Sequence, residues 1–174
     1  LCPVQGSFRD PSGYVYLRDL DVLRSIQDVY AEQWELLNTS GLASAAVERG
    51  LLLPFSDAPV LEGAWKTISV EKLPFVSYPY EWCFGQLKDA ALHTLDLMDL
   101  ALKHGMTLKD ATAFNMQFLG SRPVFIDHLS FERHSLGRPW EAYLQFCMHF
   151  LAPLALIRYR GPLCGKVSSL WLGG

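Results

Sequence analysis

The sequence predicts one α+β domain. Three observations predict it. Strand signals dominate the first half and helical periodicity the second. No regular strand–helix–strand alternation appears, which argues against a doubly wound parallel sheet. The 174 residues suffice for one real core and are too few for two full domains.

Val15, Tyr16 and Leu17 and then Val22 to Ile26 are rich in β-branched and aromatic residues, and Arg18-Asp19-Leu20-Asp21 suits the turn of a hairpin between them. Residues 1–13 carry Pro3, Gly6, Pro11 and Gly13 and predict a loop. Val29, Tyr30, Trp34 and Leu37 share one helical face, and Asn38-Thr39-Ser40-Gly41 ends that helix. A shorter helix runs from Leu42 to Gly50, followed by an extended piece at 51–55. Trp65 to Val70 and Phe75 to Tyr80 are two further strand candidates.

The clearest helix spans Trp82 to His104, with Phe84, Leu87, Ala91, Leu95, Met98 and Leu102 as its predicted core stripe. Gly105 stops it. Asn115 to Leu119 and Val124 to Asp127 then predict a hairpin around Gly120-Ser121-Arg122-Pro123. Pro139 is placed to open a last helix through Trp140, Tyr143, Leu144, Cys147 and Leu151, which Pro153 bends or ends. The organisation expected is a small strand-bearing part, 1–80, and a mainly helical part, 81–174.

Composition excludes some functions. The net charge is −3 and the 15 Lys and Arg are scattered, so no nucleic-acid surface is expected. The longest apolar run, Phe146 to Ile157, is too short to cross a bilayer. Cys2, Cys83, Cys147 and Cys164 form no CxxC pair, and Cys83 and Cys147 read as buried small hydrophobes in a reducing, cytoplasmic setting. The start has neither the basic nor the apolar region of a signal peptide, and the first residue is not Met, which suggests a piece of a longer chain.

Chemistry concentrates between Lys109 and Asp127. Asp110 precedes Asn115 by five residues, and Asp127 follows Asn115 by 12 across the predicted hairpin. Paired strands lie about 5 Å apart, so a hairpin can bring Asn115 and Asp127 together. Phosphoryl transfer uses such a set: one carboxylate on the substrate hydroxyl, an amide oxygen and a second carboxylate on magnesium. Each residue also has a plainer reading. Asp110 can be a turn or cap, Asn115 a loop residue bonding its own backbone, and Asp127 a cap for 129–132. His93 and His104 read as surface or edge residues of the long helix, His149 as a satisfied core histidine, and Tyr78, Tyr80 and Trp82 as packing.

On Asp110 and Asn115 as D-x-x-x-x-N, with Asp127 after a hairpin, the sequence resembles the kinase-like fold, in particular its aminoglycoside-phosphotransferase branch. That resemblance implies a reduced strand-containing N-lobe, a mainly helical C-lobe and a hinge near Tyr78-Pro79-Tyr80-Glu81-Trp82. It implies Asp110 as base, Asn115 and Asp127 as magnesium ligands, and ATP as nucleotide. Arg24, or Arg18, would stand in for the phosphate-holding lysine, with Glu32 or Glu35 as its helix partner and Lys109 as a further contact. Departures are plain: no Gly-rich phosphate loop near the start, Leu108-Lys109 where a His-containing motif is usual, and His128-Leu129 after Asp127.

Phe75-Val76-Ser77-Tyr78-Pro79-Tyr80-Glu81-Trp82, Gly105-Met106-Thr107-Leu108-Lys109-Asp110, Pro123-Val124-Phe125-Ile126-Asp127 and the run 145–155 carry a second resemblance. They are similar to the N-terminal region of a bacterial, nodulation-protein-like family of SAM-dependent methyltransferase type. It implies a SAM-binding domain C-terminal to this region, because no Gly-rich loop with an acidic residue downstream occurs here. The expectation is a pseudokinase-like binding or regulatory domain. The alternatives are an ATP- and magnesium-dependent small-molecule phosphotransferase and an inert oligomerisation domain.

Overall fold

The computed structural model describes residues 10–18 and 21–161. Residues 1–9 of the loop expected at 1–13, the turn residues Asp19 and Leu20, Cys164 and the tail at 170–174 lie outside the described residues.

The α+β class is what the structure has. β1 (Val15–Arg18) and β2 (Asp21–Ile26) form the expected hairpin. α1 (Ala31–Thr39) and α2 (Leu42–Glu48) follow, then β3 (Phe55–Asp57) and β4 (Lys66–Glu71). The four strands make one antiparallel sheet in the order β1-β2-β4-β3. Side chains alternate across a strand. Register therefore stacks Leu17, Val22 and Val70 across three strands, with Val15 beside Arg24. Gly41 and Gly50 end the two helices with φ of 79° and 67°, a region that residues with a Cβ rarely adopt.

α3 (Phe84–Lys103) is the long helix of the second half. β5 (Met106–Leu108) pairs with β8 (Phe131–Arg133), and β6 (Met116–Leu119) with β7 (Arg122–Phe125). A helix then runs over 143–160: α4 (Tyr143–Phe146), a π turn (Cys147–Leu151) and α5 (Ala152–Arg160). Among the described residues no helix is long and apolar enough to cross a membrane.

Several expectations are corrected. Residues 75–80 form no strand: Pro74 and Pro79 leave gaps in any ladder, and the segment runs as a loop into a short turn at Pro79–Glu81. The helix expected from Pro139 begins only at Tyr143, and it passes through Pro153 rather than ending there. The preceding π turn, with Ala152 N–H bonded to Cys147 C=O, accommodates the missing proline donor. The core face of α3 is Leu87, Ala90, Ala91, Thr94, Leu97, Met98 and Ala101, whereas Phe84, Leu95 and Leu102 are exposed. The predicted stripe is right at Leu87, Ala91 and Met98 and wrong at the other three, because apolar residues extend around more than one face and spacing alone does not centre the buried one. Val29 precedes α1 and is exposed. Tyr143, Leu144 and Leu151 are exposed too, and Phe146 and Phe150 take the core positions. Cys83 is exposed at the cap of α3 and Cys147 is half-buried. The strands β5 and β8 have no counterpart in the sequence reading, being three residues each.

The extended piece at 51–53 joins the two halves. Leu53 N–H donates to Phe125 C=O at 2.9 Å, and Phe125 N–H to Leu51 C=O at 3.1 Å. His93 Nε2 meets Leu51 C=O and His128 Nε2 meets Leu53 C=O, both at 2.8 Å. His93 is thus a buried tie and not an edge residue.

Candidate functional site

Asn115, at the foot of β6, and Asp127, beyond β7, come together as the hairpin predicts. Ile126 N–H donates to Asn115 C=O at 2.9 Å and closes the open end of the ladder. Asn115 Nδ2 donates to Ser130 Oγ at 3.3 Å, and Ser130 Oγ–H donates to Asp127 Oδ2. Leu129 N–H donates to Asp127 Oδ1 at 3.2 Å, which makes Asp127 the cap of the next turn as well.

Arg24 completes the cluster. Its Nη2 forms an ion pair with Asp127 Oδ1, and both side chains are 14% exposed. Burial alone pushes the Asp127 carboxyl up. The Arg24 guanidinium, the Ser130 hydroxyl and the Leu129 amide outweigh it and hold the group below its ordinary value. The expected pairing of Arg24 with Glu32 is not formed. Glu32 lies on the surface, 3.3 Å from the Arg133 guanidinium, and stays apart from the site. Alternation along β2 is the reason: Arg24 shares the Val22 face of the sheet, which looks toward the hairpin.

His128, next in the chain, is 1% exposed. Burial lowers its pKa to about 4, against the bond to Leu53 C=O, which favours the protonated ring. A neutral imidazole that bonds a carbonyl through Nε2 must carry its proton there.

Lys109 and Asp110 sit elsewhere on the same loop. Lys109 N–H bonds Ser130 C=O at 2.8 Å, which fixes the backbone beside the cluster. Its ammonium instead reaches Ser12 Oγ at 2.9 Å, lies 4.9 Å from the Tyr30 ring centre and 3.9 Å from Asp10. Asp110 accepts Thr112 N–H at 2.9 Å, an Asx cap. Gln145 accepts Ala111 N–H at 2.6 Å, and His149 Nδ1 accepts Ala113 N–H at 3.4 Å. Burial lowers the His149 pKa, opposed by the Asp110 carboxylate. No hydrogen bond among the described residues joins Asp110 to Asn115 or Asp127.

A cleft of about 330 Å³ lies between the sheet, the 71–76 connection and the hairpin. Val22, Val70, Leu73, Val76 and Ile126 give it apolar walls, with Arg24 and His128 also lining it. Gln117 on β6 borders it, with its carboxamide turned onto the Ser77 peptide.

Magnesium prefers oxygen ligands, usually one or two carboxylates with waters and phosphates. The cluster of Asn115, Ser130 and Asp127 holds one carboxylate, that of Asp127, and both its oxygens are already engaged, one by a guanidinium. No group of three His, Cys, Asp or Glu fit to hold a metal occurs among the described residues. The donor set as it stands suits the Arg24 cation and not a magnesium ion. Among the described residues a SAM site fits no better. The main sheet is antiparallel, and the left-handed glycines lie at helix ends and turns, not between a strand and a helix start.

Ser130, Gln117 and the Arg24–Asp127 pair were missed from sequence. Ser130 follows Asp127 by three residues, the spacing of a side-chain-capped turn, which was its available signal.

No family model matches the chain. In solved structures, it is similar to vaccinia related kinase 3 with a TM-score of 0.47 and 12% identity, over 72% of this chain and 46% of that one. Among curated proteins, it is 42% identical over 159 residues, 88% of its length, to nodulation protein NoeA of Rhizobium meliloti (strain 1021), and it spans 33% of that protein.

Proposed function

We propose that this chain is a kinase-like, non-catalytic binding or regulatory domain of a SAM-dependent methyltransferase-type protein, with the cleft between sheet and hairpin as its ligand site. The observation that carries this reading is the closed state of Asp127. Arg24, Ser130 and the Leu129 amide occupy both carboxylate oxygens, so metal binding would have to break a buried ion pair. The methylating chemistry belongs, on this reading, to another part of a longer protein. Both the resemblance to the methyltransferase-type family and the share of the nodulation relative that the chain spans support this.

The domain turns over no phosphoryl donor on this reading, since its acceptor-side carboxylate, Asp110, caps its own loop. A second reading, an ATP- and magnesium-dependent small-molecule phosphotransferase with Asp110 as base and Asn115 and Asp127 as metal ligands, draws on Asn115 and Asp127 meeting at Ser130. Calorimetric titration of ATP with and without magnesium, on the wild type and Asp127→Ala, separates the two. The binding-domain reading expects no magnesium-dependent ATP binding. Magnesium-dependent binding that Asp127→Ala abolishes would replace it with the phosphotransferase.

A further inference from the structure

The polar residues that line the cleft between sheet and hairpin differ in what they already hold. Glu71 and Lys72 are exposed and of opposite sign, so water meets their charges. Gln117 has its carboxamide on the Ser77 peptide, accepting from N–H and donating to C=O, each at 3.0 Å. Two nitrogens are left over. Among the described residues, Arg24 Nε and His128 Nδ1 are the buried side-chain nitrogen or oxygen atoms without a hydrogen-bond partner, and both residues line this one cleft.

The bonds that these two side chains do make fix what each spare nitrogen can do. Arg24 meets Asp127 through Nη2, so its Nε–H is a donor that the ion pair does not use. His128, 1% exposed, meets Leu53 C=O through Nε2 at 2.8 Å. That bond holds the proton of the neutral ring on Nε2 and leaves Nδ1 as an acceptor. The Arg24 charge opposes a second proton on the ring. The Ile126 carbonyl acts in the other sense, without meeting Nδ1 in hydrogen-bonding geometry. A buried donor and a buried acceptor left unmatched are both unfavourable, and native proteins keep few of either.

Neither nitrogen is open to solvent, so a group that reaches them moves wall side chains aside and is itself shielded from water. It must accept from Arg24 Nε–H and donate to His128 Nδ1. A carboxylate has no proton for Nδ1 and would set a second negative charge beside Asp127, and an ammonium has no lone pair for Nε–H. A hydroxyl does both. We infer that Arg24 Nε and His128 Nδ1 form the polar end of the cleft, which takes an uncharged, hydroxyl-bearing small molecule with its apolar body against Val22, Val70, Leu73, Val76 and Ile126. This rests on the reading of the chain as a binding domain with the cleft as its site.

The test titrates the chain with three fluorescent probes: 2-naphthol, 2-methylnaphthalene, which has the same shape without the hydroxyl, and 2-naphthoate. His128→Gln keeps a donor for Leu53 C=O and removes the Nδ1 acceptor, and Arg24→Lys keeps a cation for Asp127 and removes Nε–H. Val76→Asp, at a wall residue 53% exposed, checks that the probes bind in the cleft. The wild type is expected to bind 2-naphthol at least about tenfold more tightly than either other probe, since only its hydroxyl matches both nitrogens. Arg24→Lys and His128→Gln should each reduce that preference to under about threefold, and Val76→Asp should weaken 2-naphthol about tenfold. Equal or tighter binding of 2-methylnaphthalene or 2-naphthoate by the wild type would overturn the polar end, while a loss with Val76→Asp keeps the cleft and the binding-domain reading in place. That comparison needs no variant to fold. A hydroxyl preference unchanged in the folded Arg24 and His128 variants would overturn the assignment to these two residues. A folded wild type that takes up none of the three probes would overturn both the inference and the reading beneath it.

Discussion

Asp110 and Asp127 are the same residue type on one stretch of 18 residues, and the structure treats them differently. Asp127 is almost enclosed, with its charge met by a guanidinium from β2. Asp110 is half-buried and caps the turn beside it. The difference follows from desolvation. A carboxylate taken out of water needs a cation or several donors, and a distant strand supplies them. A carboxylate that keeps water needs only a local amide.

The first way to break the comparison is to empty the enclosed pair. Asp127→Ala leaves Arg24 without its partner, and urea unfolding at neutral pH is expected to show a loss of about 3–5 kcal/mol. Arg24→Met combined with Asp127→Leu is expected to recover most of that loss, since an apolar pair needs no charge compensation. A loss under about 1 kcal/mol for the single variant would mean that water reaches the site and the two aspartates are alike.

Acidification is the second. His128 is held neutral in the folded protein, down to a pKa of about 4 against an ordinary 6.5. Between those values the unfolded chain binds the proton and the folded one does not. Stability therefore falls as pH drops through that window, by about 1.4 kcal/mol per pH unit for this one group. His93, also lowered by burial, acts in the same direction. Asp127 acts further down. Its lowered pKa keeps its contribution intact above the ordinary carboxylate value and loses it as pH falls through the folded value. Unfolding measured at stepped pH should show the slope, and His128→Gln should reduce it by about one proton.

A smaller effect tests how tightly the enclosed end is packed. A Cβ added at Gly13 would lie 2.0 Å from Ser25 C=O and 2.7 Å from the Leu129 side chain. Gly13→Ala should cost about 1–3 kcal/mol by overpacking, read as a lowered thermal midpoint. The smallest effect belongs to the other aspartate. Asp110→Ala should cost about 1 kcal/mol through the lost Thr112 cap, and Asp110→Asn should restore nearly all of it. A much larger loss at Asp110 would show that it too carries a long-range partner.

Much of the frame was legible. The hairpin of β1 and β2, the glycine-stopped helices, α3 and the β6–β7 hairpin all follow from signals within a few residues, where turn chemistry and periodicity act directly. The meeting of Asn115 and Asp127 was legible for the same reason, since a hairpin fixes its own ends. The partner of Arg24 was not: the kinase-like resemblance implied Glu32 or Glu35, but the strand turns Arg24 toward Asp127. Residues 75–80 read as a strand by composition, yet a strand needs a neighbour, and a single side chain, Gln117, supplies the bonds.

The sequence by itself determined the class of fold, most helix ends and the place where polar residues converge. All of these are set by local backbone preference and by patterns of three, four and two residues. Only the tertiary structure decided which face of α3 is core, which cation neutralises Asp127, and how Ser77 is bonded. Each of those depends on burial, and burial brings together residues far apart in the chain, where a polar group must find its partner or the fold loses stability.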